Sequence, residues 1–299
     1  MQDVNQQAYD RGTSIFSPDG RLYQVEYARE AVKRGTSAIG VRTPEGVVLV
    51  VDKRVHSSLM ERDSVEKLHA IDDHLGVATA GHVADGRRLV DYLRRDAQGN
   101  QLRYGERMDV ETATKHITDL IQQYTQFGGA RPFGVALLVA GVDADGTPRL
   151  FETDPSGTPY QWQAVAVGAD RKAIQSFLEA NYDPDASLDA GVDLALRALA
   201  STREEGMEST SVAVATVAVD SGQYRRLGDD EVAERVSALD PESGADEADE
   251  ADEADKADEV EGANPDGDDL ETDADDDDAD GNEDAGDDAD ADDAGAGED

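Results

Sequence analysis

Few residues of this chain have the type and spacing for covalent or metal chemistry. It contains no cysteine, which excludes disulfides, thiol nucleophiles and cysteine-based metal sites. The five histidines, His56, His69, His74, His82 and His116, show no HExxH or comparable spacing and read as surface or core residues rather than ligands. Gly128-Gly129 is followed by Ala130-Arg131, not by the Gly-Lys-Ser/Thr that completes a phosphate cradle. What remains is recognition chemistry near the start: Tyr9-Asp10-Arg11, then Phe16-Ser17-Pro18-Asp19-Gly20-Arg21-Leu22-Tyr23-Gln24-Val25-Glu26-Tyr27-Ala28. Tyrosine hydroxyls can donate to a carboxylate such as that of Asp10.

The elements around these residues can be read from turn chemistry and periodicity. Pro18-Asp19-Gly20 is a turn, since Pro presets φ and Gly tolerates positive φ. A helix is expected over Arg21–Lys33, with Leu22, Val25, Ala28 and Val32 on one face. Glu26 with Arg29, and Glu30 with Lys33 and Arg34, are spaced to pair, and Gly35 ends the helix. Strands are expected at Thr36–Arg42 and Gly46–Val51, the second continuously apolar as in a strand covered on both faces. Further strands are read at Leu68–Ile71 and Leu75–Ala80. Two helices follow, from about His82 to Arg95 with Val83, Leu89, Val90 and Leu93 inward, and from an N-capping Asp109 to about Tyr124. Strands resume at Gly134–Val142, Arg149–Thr153 and Trp162–Val167. A second helix pair starts at Asp170, is broken by Pro184 and resumes after a Ser187 cap. The strand Val212–Val219 and a helix at about Asp229–Leu239 complete the order. Helix, strands, two helices, strands, two helices, strand, helix is neither a βαβ alternation nor an all-β pattern. Two packed sheets with a helix pair outside each would bury every apolar face, an α+β four-layer αββα sandwich.

Charge is unevenly spread. The 299 residues carry 27 Lys+Arg against 68 Asp+Glu, a net charge of −41. Residues 241–299 hold 30 of the acids and a single base, Lys256, so this stretch cannot bury apolar surface and is expected to be a disordered acidic tail. The rest is acidic too, which suits a cytoplasm at molar salt, where charges are screened within a few ångströms; a halophilic source is expected. No basic stripe points to nucleic acid. No apolar run reaches the roughly 20 residues of a membrane span, and the polar MQDVNQQAYDRG start lacks a secretory apolar core. A cytoplasmic, membrane-free protein is expected.

The string from Phe16 to Ala28, with Tyr9-Asp10-Arg11 before it, resembles the signature of proteasome alpha subunits, the non-proteolytic, ring-forming subunits at the ends of the proteasome core particle. Matching strings continue at Ser64–Leu68, Gly81–Tyr92, Gln122–Asp143 and Asp154–Thr158, so that the resemblance covers residues 1–240. It implies the N-terminal-nucleophile hydrolase type of αββα sandwich. It also implies three parts: a flexible gate segment over 1–12, an alpha-type domain over 13–240, and the tail over 241–299.

The resemblance implies further roles. Tyr9, Asp10, Pro18 and Tyr27 would form an inter-subunit cluster that holds the gate open. The C-terminal tail of an activating AAA ATPase would dock between subunits. There Lys67 would pair the tail's terminal carboxylate, Gly35, Gly81 and His82 would line the pocket, and Gly20 and Glu26 would meet the penultimate tyrosine. His82 departs from the apolar residue usual at its position. Phe127, Gly128, Gly129, Ala130 and Arg131 would form the pore annulus. Implied partners are other alpha subunits in a heptameric ring, beta subunits, the ATPase and unfolded proteins in transit, with no cofactor.

Beta subunits of the family are threonine proteases, freed by cleavage of a Gly-Thr bond so that the new terminal amine serves as base. Gly35-Thr36, Asp52 and Lys67 roughly match that constellation. While Thr36 stays in an amide bond it has no free amine, so an inert subunit is expected. The alternatives are a beta-type protease processed at Thr36 and a storage or scaffold protein of the same fold.

Overall fold

A computed structural model describes residues 16, 20, 22–55, 57, 59–126, 130–203 and 206–239. Tyr9, Asp10, Pro18, Phe127, Gly128, Gly129, His56 and the stretch 241–299 lie outside the described residues. Helix α1 spans Tyr23–Arg34 and buries Val25, Ala28 and Val32, the face its spacing predicts. Strands β1 (Ala38–Thr43) and β2 (Gly46–Asp52) form a hairpin with Thr43 opposite Gly46. Strands β3 (Leu68–Asp72) and β4 (Leu75–Gly81) form a second hairpin. Helices α2 (Val83–Tyr104) and α3 (Val110–Gln126) come next. Then follow β5 (Val135–Val142), β6 (Pro148–Thr153), β7 (Pro159–Gln161) and β8 (Ala164–Val167), helices α4 (Arg171–Asn181) and α5 (Leu188–Ala200), strands β9 (Val212–Ala218) and β10 (Tyr224–Arg226), and helix α6 (Asp229–Leu239).

Every strand pairing is antiparallel. One five-stranded sheet has the order β10-β9-β2-β1-β8 and the other β3-β4-β5-β6-β7. The apolar run on β2 shows why two sheets stack. Val47, Leu49 and Val51 point into the inter-sheet core, while Val48 and Val50 point at α4, α5 and α6. Strand β5 divides likewise: Ala136, Leu138 and Ala140 face the other sheet, and Val135, Leu137 and Val139 face α2 and α3. The period of two sends alternate side chains to opposite faces, and both faces are covered. Each fully buried Leu or Val contributes about 1.5–3 kcal/mol. The layers are therefore helix, sheet, sheet, helix, the αββα sandwich expected. Helix α1 lies outside this scheme and inserts Val32 at one end of the inter-sheet core.

Several boundaries differ from the sequence reading. Helix α2 runs to Tyr104 rather than Arg95, because Ala97 continues the buried face of Leu89, Val90 and Leu93. It stops at Gly105, whose φ of +74° makes a left-handed cap with its N–H on Gln101 O. Val83, expected inward, is 61% exposed. At α3 the first N–H, of Val110, is bonded by the Asp143 carboxylate at 2.9 Å from the β5–β6 turn. The Ser187 cap forms as expected, accepting from Ala190 N at 3.2 Å. The edge strands β7 and β10 have no counterpart in the sequence reading. Among the described residues no helix is long and apolar enough to cross a membrane, and no His, Cys, Asp and Glu cluster could hold a metal ion.

Candidate functional site

The cleft where α1 meets the β4–α2 turn gathers four of the described candidate residues, while Gly20, Glu26, Lys67, Ala130 and Arg131 do not line it. Gly35 ends α1, and its backbone lies against Gly81: a Cβ at Gly35 would meet Gly81 N at 2.3 Å. Gly81 has φ +117°, and a Cβ there would meet Gly134 O at 2.3 Å. Only glycine fits this three-layer backbone stack. It lets the α1 C-terminus, the β4–α2 turn and the start of β5 close on one another. His82 N–H then donates to Gly134 O at 2.9 Å. The result is a cleft of about 590 Å³ lined by Tyr27, Glu30, Ala31, Arg34, Gly35, Gly81 and His82. Tyr27, Gly35, Gly81 and His82 are thus brought together. Gly20 adopts φ +73° with nothing within 4 Å of a Cβ, a conformation that favours glycine.

Glu26 sits on α1 and pairs with Arg29 at 2.5 Å. Arg29 also makes a bidentate contact with Asp154 in the β6–β7 loop, both bonds 2.9 Å. Asp154 in turn accepts from Ser156 N at 2.8 Å. Burial would raise the Asp154 carboxyl, but Arg29 and Ser156 outweigh it and hold it below the ordinary carboxylate range. Helix α1 is thereby clamped to the loop carrying the Asp154–Thr158 string.

Arg131 is the described annulus candidate with a defined partner. Its two terminal nitrogens donate to the Asp85 carboxylate at 2.6 and 2.7 Å. Asp85, in the first turn of α2, also accepts from Gly134 N at 2.9 Å. Burial pushes the Asp85 carboxyl up, but Arg131 and the Gly134 N–H bring it below its usual value. Sequence reasoning misses Asp85, although it lies within the matching Gly81–Tyr92 string. It misses the pairing of Asp154 with Arg29 in the same way. Arg88 stacks over Tyr124 at 5.0 Å and over Phe133 at 5.8 Å, next to the same loop.

Lys67 is buried, and its Nζ lies 2.7 Å from both Thr36 Oγ1 and Thr36 O, 3.0 Å from Ser37 O and 3.1 Å from Asp52 O. Burial pulls the ammonium down to about 7, against an opposing attraction from Asp52. Thr36 Oγ1 donates to Asp52 O at 2.8 Å. Thr36, Asp52 and Lys67 therefore do converge, but through the Asp52 carbonyl. The Asp52 carboxylate points the other way, to Arg54 Nε at 2.6 Å and to Arg203 Nη2 at 3.0 Å. The Thr36 nitrogen is the amide joined to Gly35.

The family model for proteasome subunits matches residues 32–217, and the model for the N-terminal signature of A-type proteasome subunits matches residues 9–31. The chain is 62% identical over 240 residues to the proteasome alpha 2 subunit of Haloarcula marismortui, covering 80% of this chain and 98% of that one. It is 62% identical over 237 residues to the proteasome alpha 1 subunit of Haloferax volcanii, covering 79% and 94% respectively. It is 65% identical over 232 residues to the proteasome alpha subunit of Halobacterium salinarum, covering 77% and 91%. All three relatives are haloarchaeal, which agrees with the acidic composition. The chain belongs to the proteasome subunit family, with the N-terminal signature of its alpha type.

Proposed function

We propose that this chain is a non-catalytic alpha subunit of a cytoplasmic proteasome core particle. Seven copies would form the outer ring, stack on beta subunits, gate the entry of unfolded proteins and dock the C-terminal tails of an activating AAA ATPase in ATP-dependent degradation. The observation that carries this reading is the A-type N-terminal signature over residues 9–31, directly ahead of Thr36. While Thr36 stays joined to that segment its nitrogen is an amide, and its hydroxyl bonds Lys67 and Asp52 O. A hydroxyl without a neighbouring free amine is a weak nucleophile.

The cleft between Tyr27, Gly35, Gly81 and His82 supports docking of a peptide tail. Lys67 Nζ lies on the Thr36 carbonyl, one residue from Gly35 on the cleft wall. An arriving carboxylate would exchange with one of the four oxygens now sharing that ammonium, gaining a charge-assisted bond. Tyr27, 46% exposed on α1, would contribute to the gate cluster with Tyr9, Asp10 and Pro18. Arg131 and Ala130 would edge the annulus with Phe127, Gly128 and Gly129. The test is Lys67→Ala in the assembled particle. Loss of ATPase-dependent stimulation with persistent basal peptide hydrolysis is expected; full stimulation would refute the pocket.

The convergence of Thr36 with Lys67 also serves the second reading, a threonine protease released at Gly35-Thr36. Intact-mass measurement separates the two: a species beginning at Thr36 would overturn the inert-subunit reading.

A further inference from the structure

On the other side of Thr36 lies a cleft of about 800 Å³, bordered by Arg34, Arg54, Arg62 and Arg203 together with Thr36 and Ser211. Four guanidinium groups meet here in a chain of net charge −41. Two carboxylates among the described residues compensate them in part. Asp52 is fully buried and holds Arg54 and Arg203, and Glu208 pairs with Arg62 at 2.9 Å. Among the described residues the balance is cationic.

Arg203 shows that the surplus is built in. Its side chain is only 6% exposed. Nη1 donates to Ser211 Oγ at 2.8 Å and Nη2 lies 3.0 Å from the Asp52 carboxylate, while Nε is buried with no hydrogen-bond acceptor among the described residues. Burying a guanidinium with a donor unused costs free energy. The neighbouring hydroxyls are already committed: Thr36 to Asp52 O, Ser211 to Glu208 O and Thr202 to Leu199 O. Among the described lining residues four guanidinium groups face one carboxylate, Glu208, so donors outnumber charged acceptors and the cleft favours an anion.

We propose that this arginine cleft binds a small multivalent oxyanion of the phosphate class. The planar forks of several arginines match a tetrahedral oxyanion that can accept from more than one guanidinium, whereas a lone carboxylate satisfies a single fork. Contact recognition of this kind persists at high salt. Screening at 1 M cuts off charge interactions beyond about 3 Å but leaves buried hydrogen-bonded pairs largely intact.

The test is calorimetric titration of the purified full-length protein with inorganic phosphate in about 2 M KCl, where long-range attraction is screened out. Saturable binding is expected, with acetate binding far more weakly. Arg34→Gln with Arg62→Gln, which leaves both partners of Asp52 in place, should weaken phosphate by about tenfold or more. Arg203→Lys keeps the charge facing Asp52, loses the fork and should weaken it similarly. Arg225→Gln removes a guanidinium that pairs with Glu231 outside the cleft lining and should change nothing. Absence of saturable phosphate binding overturns the proposal, as does an equal loss in Arg225→Gln. Acetate binding as tightly as phosphate overturns the assignment to multivalent oxyanions.

Discussion

Asp85 and Arg131, 46 residues apart, form a two-pronged ion pair at 2.6 and 2.7 Å that ties the loop before β5 to the first turn of α2. The same carboxylate takes the Gly134 N–H, and Gly134 O takes His82 N–H. The β4–α2 turn and the 130–134 segment are therefore held as one unit.

Asp85→Ala should destabilise the fold by about 1–3 kcal/mol, because the buried Gly134 N–H loses its acceptor. Arg131→Gln should cost less, since the Arg131 side chain is 63% exposed and solvent screens that half of the pair. Urea unfolding at constant KCl measures both, and an Arg131 variant as damaged as the Asp85 variant would contradict this ranking. The Asp85 carboxyl is held below its ordinary value, so its contribution is present above the unfolded pKa of about 4. It is lost as pH falls through the lower folded value.

Lys67 should give the protein an alkaline stability slope. Unfolded, its amine keeps a proton up to about 10.4; folded, it releases the proton near about 7. Between these values the unfolded state binds more protons, so stability should rise with pH across the window. Lys67→Met, which places no charge among the carbonyls of Thr36, Ser37 and Asp52, should flatten the slope. Unfolding free energies measured at a series of pH values would show it; a variant as steep as the parent assigns the slope to other groups.

Two glycines should respond oppositely to alanine. Gly81→Ala puts a methyl 2.3 Å from Gly134 O at φ +117° and should cost at least about 1–3 kcal/mol. Gly99, within α2, has nothing within 4 Å of a Cβ, so Gly99→Ala should stabilise by about 0.5–1 kcal/mol. Thermal melting of the two variants in one buffer checks both signs.

The Arg29–Asp154 clamp should appear as coupling in a double-mutant cycle of Arg29→Gln and Asp154→Asn. Arg29 is 39% exposed, so about 1 kcal/mol or less is expected after screening. Additive single and double variants would mean that the clamp contributes only geometry, leaving α1 to be held by Val25, Ala28 and Val32.

Much of this architecture is legible in the chain. The turn at Thr43–Gly46, periodic faces on α1 and α3, and the doubly covered run Val47–Val51 reflect local preferences that need no knowledge of distant residues. The N-terminal signature carries the family likewise, because it is a contiguous string. Strands β7 and β10 are not legible, because three residues are too few to display a period. The full length of α2 is hidden too, because its polar last turns matter less than the single buried Ala97 and the Gly105 cap.

What only the tertiary structure decided is which distant charges meet. Arg29 finds Asp154 across 125 residues, and Lys67 turns inward to Thr36 across 31. The Nε of Arg203, buried without an acceptor among the described residues, is visible only in the folded chain. Periodicity places a side chain on a face, but an ion pair depends on where two faces come to rest, and that is set by the packing of the sheets rather than by either segment's own residues.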